Sequence, residues 1–429
     1  MLVLKYPELS GYFCDTISSM NNSSGFLKKT MFDVPLRGKT ILLRADYNVP
    51  LTKDGTVKDD YRIKSSVPTV KKLLENGCKV VIISHLGRPD GAREMKYSLE
   101  PAALRLSALL GEPVRFADDC VGNKARMAIK RAPKRSVIVL ENLRFHPEEE
   151  ANDHAFAQKL AKDSGADYFV QDGFGVVHRA HASTDAITMC LPSVAGLLLE
   201  REYVTITSAM SHPKRPLVAV LGGAKVSDKI GVIKALIPVA DTIIIGGAMA
   251  NTFLANKGHN LGKSKFETGQ DAIISEIYKQ ARKKVGENTD DFLVLPTDLG
   301  VGTSTELTAT RKNASLQGVG TDGMALDIGE KSIARMKDII SNANTVIWNG
   351  GLGMAEIPAF REGSVALAES IATHKGITSI IGGGDTADFA LNWDKKKGKS
   401  FTHVSTGGGA SLELMSGLTL PGVASLLDA

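Results

Sequence analysis

The chain has 429 residues, 52 Lys and Arg against 47 Asp and Glu, and a formal net charge of +5 at pH 7. So mild a basic excess falls short of the dense positive stripe of a dedicated nucleic-acid binder and suits an anionic metabolite. Hydrophobic residues at 43% and charged residues at 23% describe an ordinary globular protein of two or three domains. Its four cysteines, Cys14, Cys78, Cys120 and Cys190, form no CxxC pair. That argues against a zinc site, a redox motif or a disulfide framework, and for a reducing, cytoplasmic setting. Without a run of about 18 apolar residues, no membrane span is expected.

Residues 1–30 read as an N-terminal extension. Lys5, Pro7 and Glu8 interrupt its start, unlike a signal peptide, and Asn21 to Ser24 is polar. A first lobe is expected over residues 31–200. In it, Ile41 to Leu43 leads into Arg44, Asp46 and Asn48, and Val80 to Ile83 leads into Ser84, His85 and Arg88. Val137 to Leu140 leads into Glu141, Asn142 and Arg144. Tyr168 to Val170 leads into Asp172, His178, Arg179 and His181. Short β-branched runs of this kind are strand-like. Pro192 to Met210 is compatible with a helix, and Ser211-His212-Pro213 breaks it. The inter-domain connector is placed at residues 201–213.

The second lobe, residues 214–415, repeats one pattern: an apolar run, two or three glycines, then an amphipathic stretch. It occurs at Leu217 to Gly223, Ile243 to Gly247, Val346 to Gly351, Ile380 to Gly384 and Val404 to Gly409. Alternating strands and helices predict an α/β protein: two similar doubly wound, Rossmann-like parallel-sheet lobes joined by a helical hinge. In such sheets ligands bind at the strand carboxyl ends, so the glycines gather at one site and the Arg and His residues at another. The tail, residues 416–429, could pack back on the first lobe.

Glycines at strand-to-helix turns admit phosphate close to the backbone, and five such turns point to a nucleotide. Neither of two familiar signatures holds. Gly258 to Ser264 has one residue too few for a Walker A loop. Gly318-Val319-Gly320-Thr321-Asp322-Gly323 has dinucleotide spacing but comes after a polar run rather than a strand. Lys225 and Lys229 are either solvated lysines or clamps on transferring oxygens. Asp385 is either a helix cap or a magnesium contact. Arginine forks suit phosphate and carboxylate, and Arg44, Arg62, Arg88, Arg144 and Arg179 at one sheet edge would repel one another without an anion.

The order and wording of these motifs resemble the phosphoglycerate kinase family, from about Asp33 to the end. The resemblance rests on Arg44-Ala45-Asp46-Tyr47-Asn48-Val49-Pro50-Leu51, Ser84-His85-Leu86-Gly87-Arg88-Pro89 and Glu141 to Glu149. His178 to Ser183, Gly222 to Lys229 and Gly382 to Thr386 complete it. It implies reversible transfer between 1,3-bisphosphoglycerate with ADP and 3-phosphoglycerate with ATP, in line after hinge closure, with Mg²⁺, by a monomer without membrane or nucleic-acid partners. The implied substrate contacts are Asp46, Asn48, Arg62, His85, Arg88, Arg144, His178 and Arg179. The implied nucleotide contacts are Gly223, Ala224, Lys225, Lys229, Gly247, Ala325, Asn349, Glu356, Gly383, Gly384, Asp385 and Thr386. Arg62, Lys225 and Lys229 would be catalytic and Asp385 linked to the metal. The sequence departs from the family pattern at Gly351, where Pro is usual, at Ala355, where an aromatic is common, and at Ala325, where glycine is frequent. A catalytically impaired relative and a nicotinamide-dependent dehydrogenase are the rival readings.

Overall fold

The spine of each half is a set of apolar, β-branched runs. A computed structural model describes residues 25–429, so most of the expected extension, and Cys14 with it, lies outside the described residues. In the first lobe the strands are β1 (Thr40–Arg44), β2 (Lys79–Ile83), β3 (Val114–Ala117), β4 (Ser136–Leu140), β5 (Tyr168–Gln171) and β6 (Ser193–Ala195). They form one parallel sheet in the order β3-β4-β2-β1-β5-β6. Ile41, Leu42, Val80 and Val81 are fully buried because packed layers cover both faces of the sheet, as a parallel sheet requires.

The second lobe continues with β7 (Leu217–Leu221), β8 (Thr242–Ile245) and β9 (Leu293–Val294). A three-stranded antiparallel sheet comes next, from β10 (Asp298–Gly302), β11 (Lys312–Ser315) and β12 (Met324–Ile328), in the order β11-β10-β12. The last strands are β13 (Thr345–Asn349), β14 (Thr378–Gly382) and β15 (His403–Val404). The main sheet runs β15-β14-β13-β7-β8-β9, again parallel. In both lobes the first strand is central, flanked by β2 and β5 or by β8 and β13. Crossovers therefore leave it in opposite directions, and a crevice opens at its carboxyl end. Those ends are Arg44 in one lobe and Leu221-Gly222-Gly223 in the other.

The antiparallel sheet has no counterpart in the expected pattern, and it corrects one expectation. A strand, β11, does precede Gly318. It is antiparallel to β10 and is succeeded by β12 rather than by a helix, so the glycines still form a turn. The Pro192 to Met210 stretch also divides: β6 takes Ser193–Ala195, and Gly196 starts the helix Leu197–Ser211.

One apolar core joins the two lobes. Phe174, Val177 and Leu199 share it with Leu217, Leu414, Leu420 and Leu426. The buried Glu202 carboxylate, on helix Leu197–Ser211, accepts from His403 Nε2 at 2.6 Å and from the Thr406 amide and hydroxyl at 2.8 Å each. The tail reaches the first lobe: the Leu427 amide donates to Ser193 O, and Lys28 Nζ pairs with Asp428 at 2.6 Å. Residues 28–30, read from sequence as the end of the extension, bridge to this tail and to Ala195.

Candidate active site

The carboxyl edge of the first sheet is built on a buried charge. Arg44 ends β1 and is 1% exposed. Its Nε donates to Ser183 Oγ at 2.8 Å and its Nη2 faces His85 Nδ1 at 3.3 Å. The buried Glu149 carboxylate lies 4.0 Å away and accepts from the Ser183 amide and hydroxyl. Arg44 thus supports the site from below instead of reaching into it. Asp46, two residues on, takes Arg62 Nη1 at 2.9 Å, and Asn48 Oδ1 accepts from the Gly87 amide at 2.9 Å. Arg144 donates to Gly87 O at 2.9 Å and pairs with Glu150. These bonds lock three strand-end loops to one another. Arg88 and Arg179 are exposed and have no carboxylate partner among the described residues.

The histidines here are neutral. Burial, reinforced by the positive charge of Arg44 and Arg144, holds His85 well below its ordinary value and brings His181 down to about 4. Burial and Arg179 lower His178 as well, whose Nε2 accepts from Arg179 Nε at 3.2 Å. The arginines therefore carry the positive charge of this edge, and the histidines offer hydrogen bonds.

The second edge is made of backbone. A Cβ at Gly222 would collide with Gly351 O, and one at Gly247 would meet Gly223 N. The Gly223 amide donates to Gly351 O at 3.0 Å and the Gly247 amide to Leu352 O at 2.9 Å. Three strand-end turns thus pack with no side chain between them. Gly383, at φ +93°, starts the helix Gly384–Trp393, which carries Asp385 exposed in its first turn. Thr386 Oγ1 accepts from the Gly350 amide at 2.7 Å.

The two lysines differ sharply. Lys229 is buried and donates to Asn349 O at 3.0 Å and to Asn349 Oδ1; burial pulls it down to about 8. Lys225 is exposed, on a loop held by Glu267, which accepts from the Val226 and Ser227 amides. Asn349 Nδ2 is buried without a partner, a free donor beside the Gly383 turn. Ala325 sits in β12, its amide bonded to Ser264 Oγ at 2.7 Å. Glu356 and Ala224 are exposed. Gly351 lies outside the left-handed region, so its backbone does not demand glycine.

The edges face each other. Asp388, on the helix behind Asp385, is raised by burial, and Arg62 from the first lobe is the positive charge that opposes this. Glu413 of the second lobe is likewise raised by burial and feels Arg179. Tyr61 Oη donates to Val404 O at 2.7 Å across the seam. Sequence reasoning missed Tyr61, Glu149, Glu202 and Glu267, whose partners lie from 34 to 343 residues away. Glu149 ends a motif read in the sequence without a role of its own, and no local pattern marks the other three.

An arginine-lined strand edge opposite a glycine-built one, in two similar parallel-sheet lobes, defines a two-lobed phosphotransferase. Comparison with known proteins gives the particular family. Residues 31–418 match the phosphoglycerate kinase family model, and the chain belongs to that family. It is 45% identical over 403 residues to the phosphoglycerate kinase of Pelotomaculum thermopropionicum, covering 94% of this chain and 99% of that protein. It is 44% identical to the chloroplastic phosphoglycerate kinase of Volvox carteri, over 93% of this chain and 86% of that one. The solved structure of phosphoglycerate kinase from Coxiella burnetii superposes with a TM-score of 0.79 at 34% identity, over 93% of this chain and 98% of the other. The chain is an enzyme of glycolytic phosphoryl transfer between 3-phosphoglycerate and ATP. Neither a dehydrogenase nor an impaired relative is favoured.

Proposed function

We propose that the arginine edge, Arg62, Arg88, Arg144 and Arg179 with Asp46, Asn48, His85 and His178, binds 3-phosphoglycerate and its acyl phosphate. The glycine edge holds ADP or ATP. Gly223, Ala224, Gly383, Gly384 and Thr386 lie at the phosphates, with Gly247, Ala325, Asn349 and Glu356 around the rest of the nucleotide. The observation that carries this reading is Arg62, a first-lobe cation held by Asp46 at 2.9 Å, whose charge acts on Asp388 of helix Gly384–Trp393. It would meet a phosphoryl group leaving the second lobe.

In the ATP-consuming direction the attacking atom is a carboxylate oxygen, already ionised at neutral pH, so no general base is needed. That matches a site whose histidines are held neutral by burial. Catalysis then comes from alignment and charge neutralisation. In the ATP-forming direction the carboxylate–phosphorus bond of the acyl phosphate breaks as the terminal oxygen of ADP bonds to phosphorus. The electron pair stays with 3-phosphoglycerate. Arg62 and Lys225 stabilise the charge on the transferring group, and Lys229 orients Asn349 and the glycine turn.

Asp385 is an exposed carboxylate in the first turn of a helix beside the phosphate turn, which fits a single protein contact to Mg²⁺ whose other ligands are phosphates and water. Bound there, the ion would neutralise phosphate charge. We assign the enzyme to the cytoplasm as a monomer that closes about the Leu197–Ser211 helix. The relatives include a chloroplastic protein, so fractionation tests the location. No described helix is long and apolar enough to cross a membrane. The residue assignment is tested by Lys225→Ala in a coupled assay: kcat falls by roughly 10²–10³, and near-normal turnover would remove Lys225 from its role.

A further inference from the structure

A cavity of about 2080 Å³ lies between the lobes; the seam residues Tyr61 and His403 line it, and none of the residues assigned to 3-phosphoglycerate or the nucleotide does. One wall is the helix Tyr61–Glu75, lined from its first residue to its last, together with part of helix Glu100–Leu110. Its length along that helix is about 21 Å at 1.5 Å per residue. The other wall is the segment from Lys395 to Phe401 of the second lobe. Leu197 and Arg201 of the connecting helix lie between them.

Ten Lys and Arg residues line this groove against four Asp and Glu, an excess larger than the +5 of the whole chain. Two of the four carboxylates are already paired on the first wall. Asp60 pairs with Lys64 at 2.8 Å and Arg105 at 2.5 Å, and Glu75 pairs with Lys72 at 3.4 Å. On the second wall Lys395, Lys396, Lys397 and Lys399 are exposed and have no carboxylate partner among the described residues. Arg201 Nε is buried without a hydrogen-bond partner.

The lysine segment is a built loop. The buried Asp394 carboxylate accepts from the amides of Lys396, Gly398 and Ser400 at 2.9, 2.9 and 3.0 Å. Lys397 is held at φ +53°, a conformation rare outside glycine. Such a fixed turn displays the ammonium groups at a lower cost in order than a free coil. Like charges gathered in this way weaken the fold unless an anion spreads over them.

The lining also includes apolar side chains: Val67, Pro68, Leu104, Leu197, Leu391 and Phe401. Leu104 is 67% exposed. A bare polyanion would satisfy the lysines and leave Leu104 in water. From the length, the charge and the apolar residues together we infer that the groove docks an acidic, amphipathic segment of a partner protein, one helix of about 14 residues. Its carboxylates meet the Lys395–Lys399 loop and its apolar face covers Leu104 and its neighbours.

The test uses the full chain and a fluorescein-labelled 14-residue peptide with Leu at helical i, i+3, i+4 spacing and Glu elsewhere, read by fluorescence anisotropy. Inorganic polyphosphate and a single-stranded RNA oligomer compete in parallel. Saturable one-to-one binding is expected. It weakens roughly ten- to hundredfold when Lys395, Lys396, Lys397 and Lys399 are all changed to Gln, while kinase activity stays at the parent level and thermal stability does not fall. Leu104→Gln also weakens the peptide, several-fold, and leaves the binding of polyphosphate and RNA unchanged. No peptide binding, or binding indifferent to both variants, overturns the inference. So does polyphosphate or RNA displacing the peptide while Leu104→Gln has no effect. Self-association abolished by the lysine changes would assign the groove to a second copy of the chain instead.

Discussion

The two lobes share a topology and differ in the groups they place at its working edge. The first puts charged side chains there, with Arg44 and Glu149 buried beneath them. The second puts peptide groups there, with Gly222, Gly247 and Gly351 packed too closely for a side chain at the first two. A small ligand with few atoms needs guanidinium forks aimed from several loops. A polyphosphate chain can lie along amides and a helix amino terminus. So one edge depends on electrostatic support from the core, and the other on the absence of volume.

This difference predicts different failures. Glu149→Ala leaves the Arg44 charge buried with its nearest carboxylate gone. It should destabilise the protein by about 3–5 kcal/mol in urea unfolding, with the loss centred on the first lobe. A Glu149→Ala protein of unchanged stability would mean that Arg44 does not need its counter-charge. Gly222→Ala is the matching test of the second lobe. Pressing a methyl against Gly351 O should cost about 1–3 kcal/mol and lower nucleotide affinity in calorimetry while 3-phosphoglycerate still binds. Equal losses for both ligands would erase the distinction between the edges.

The third test is a pH dependence carried by a histidine of the first lobe. His181 titrates near 4 when folded, below its ordinary 6.5, so the unfolded chain binds more protons between those values. Its contribution is therefore in place above pH 6.5 and is lost as pH falls toward 4. His181→Gln should flatten the stability profile over that window, and an unchanged slope would assign the acid sensitivity elsewhere.

Much of this was legible in the sequence because strand ends announce themselves. Apolar runs such as Val80 to Ile83 and Ile243 to Ile245 are buried on both faces, and the residues just past their carboxyl ends all fall at one edge. The short edge strands were not legible. β3, Val-Arg-Phe-Ala, is half exposed, β6 has three residues, and β11 reads Lys-Asn-Ala-Ser. None offers an apolar period to detect. The contrast between Lys225 and Lys229 was equally hidden. Both come after the same glycines, and only the packing of Lys229 under Asn349 separates them. The seam formed by Glu202, His403 and Thr406 spans about 200 residues, beyond the reach of local pattern.

We propose that the two differently built edges react only when brought together about one hinge. Small-angle X-ray scattering tests it directly, on the protein alone, with each substrate, and with 3-phosphoglycerate and a non-hydrolysable ATP analogue together. A smaller radius of gyration is expected with both ligands than with either one. A radius that stays constant across all four samples would contradict it.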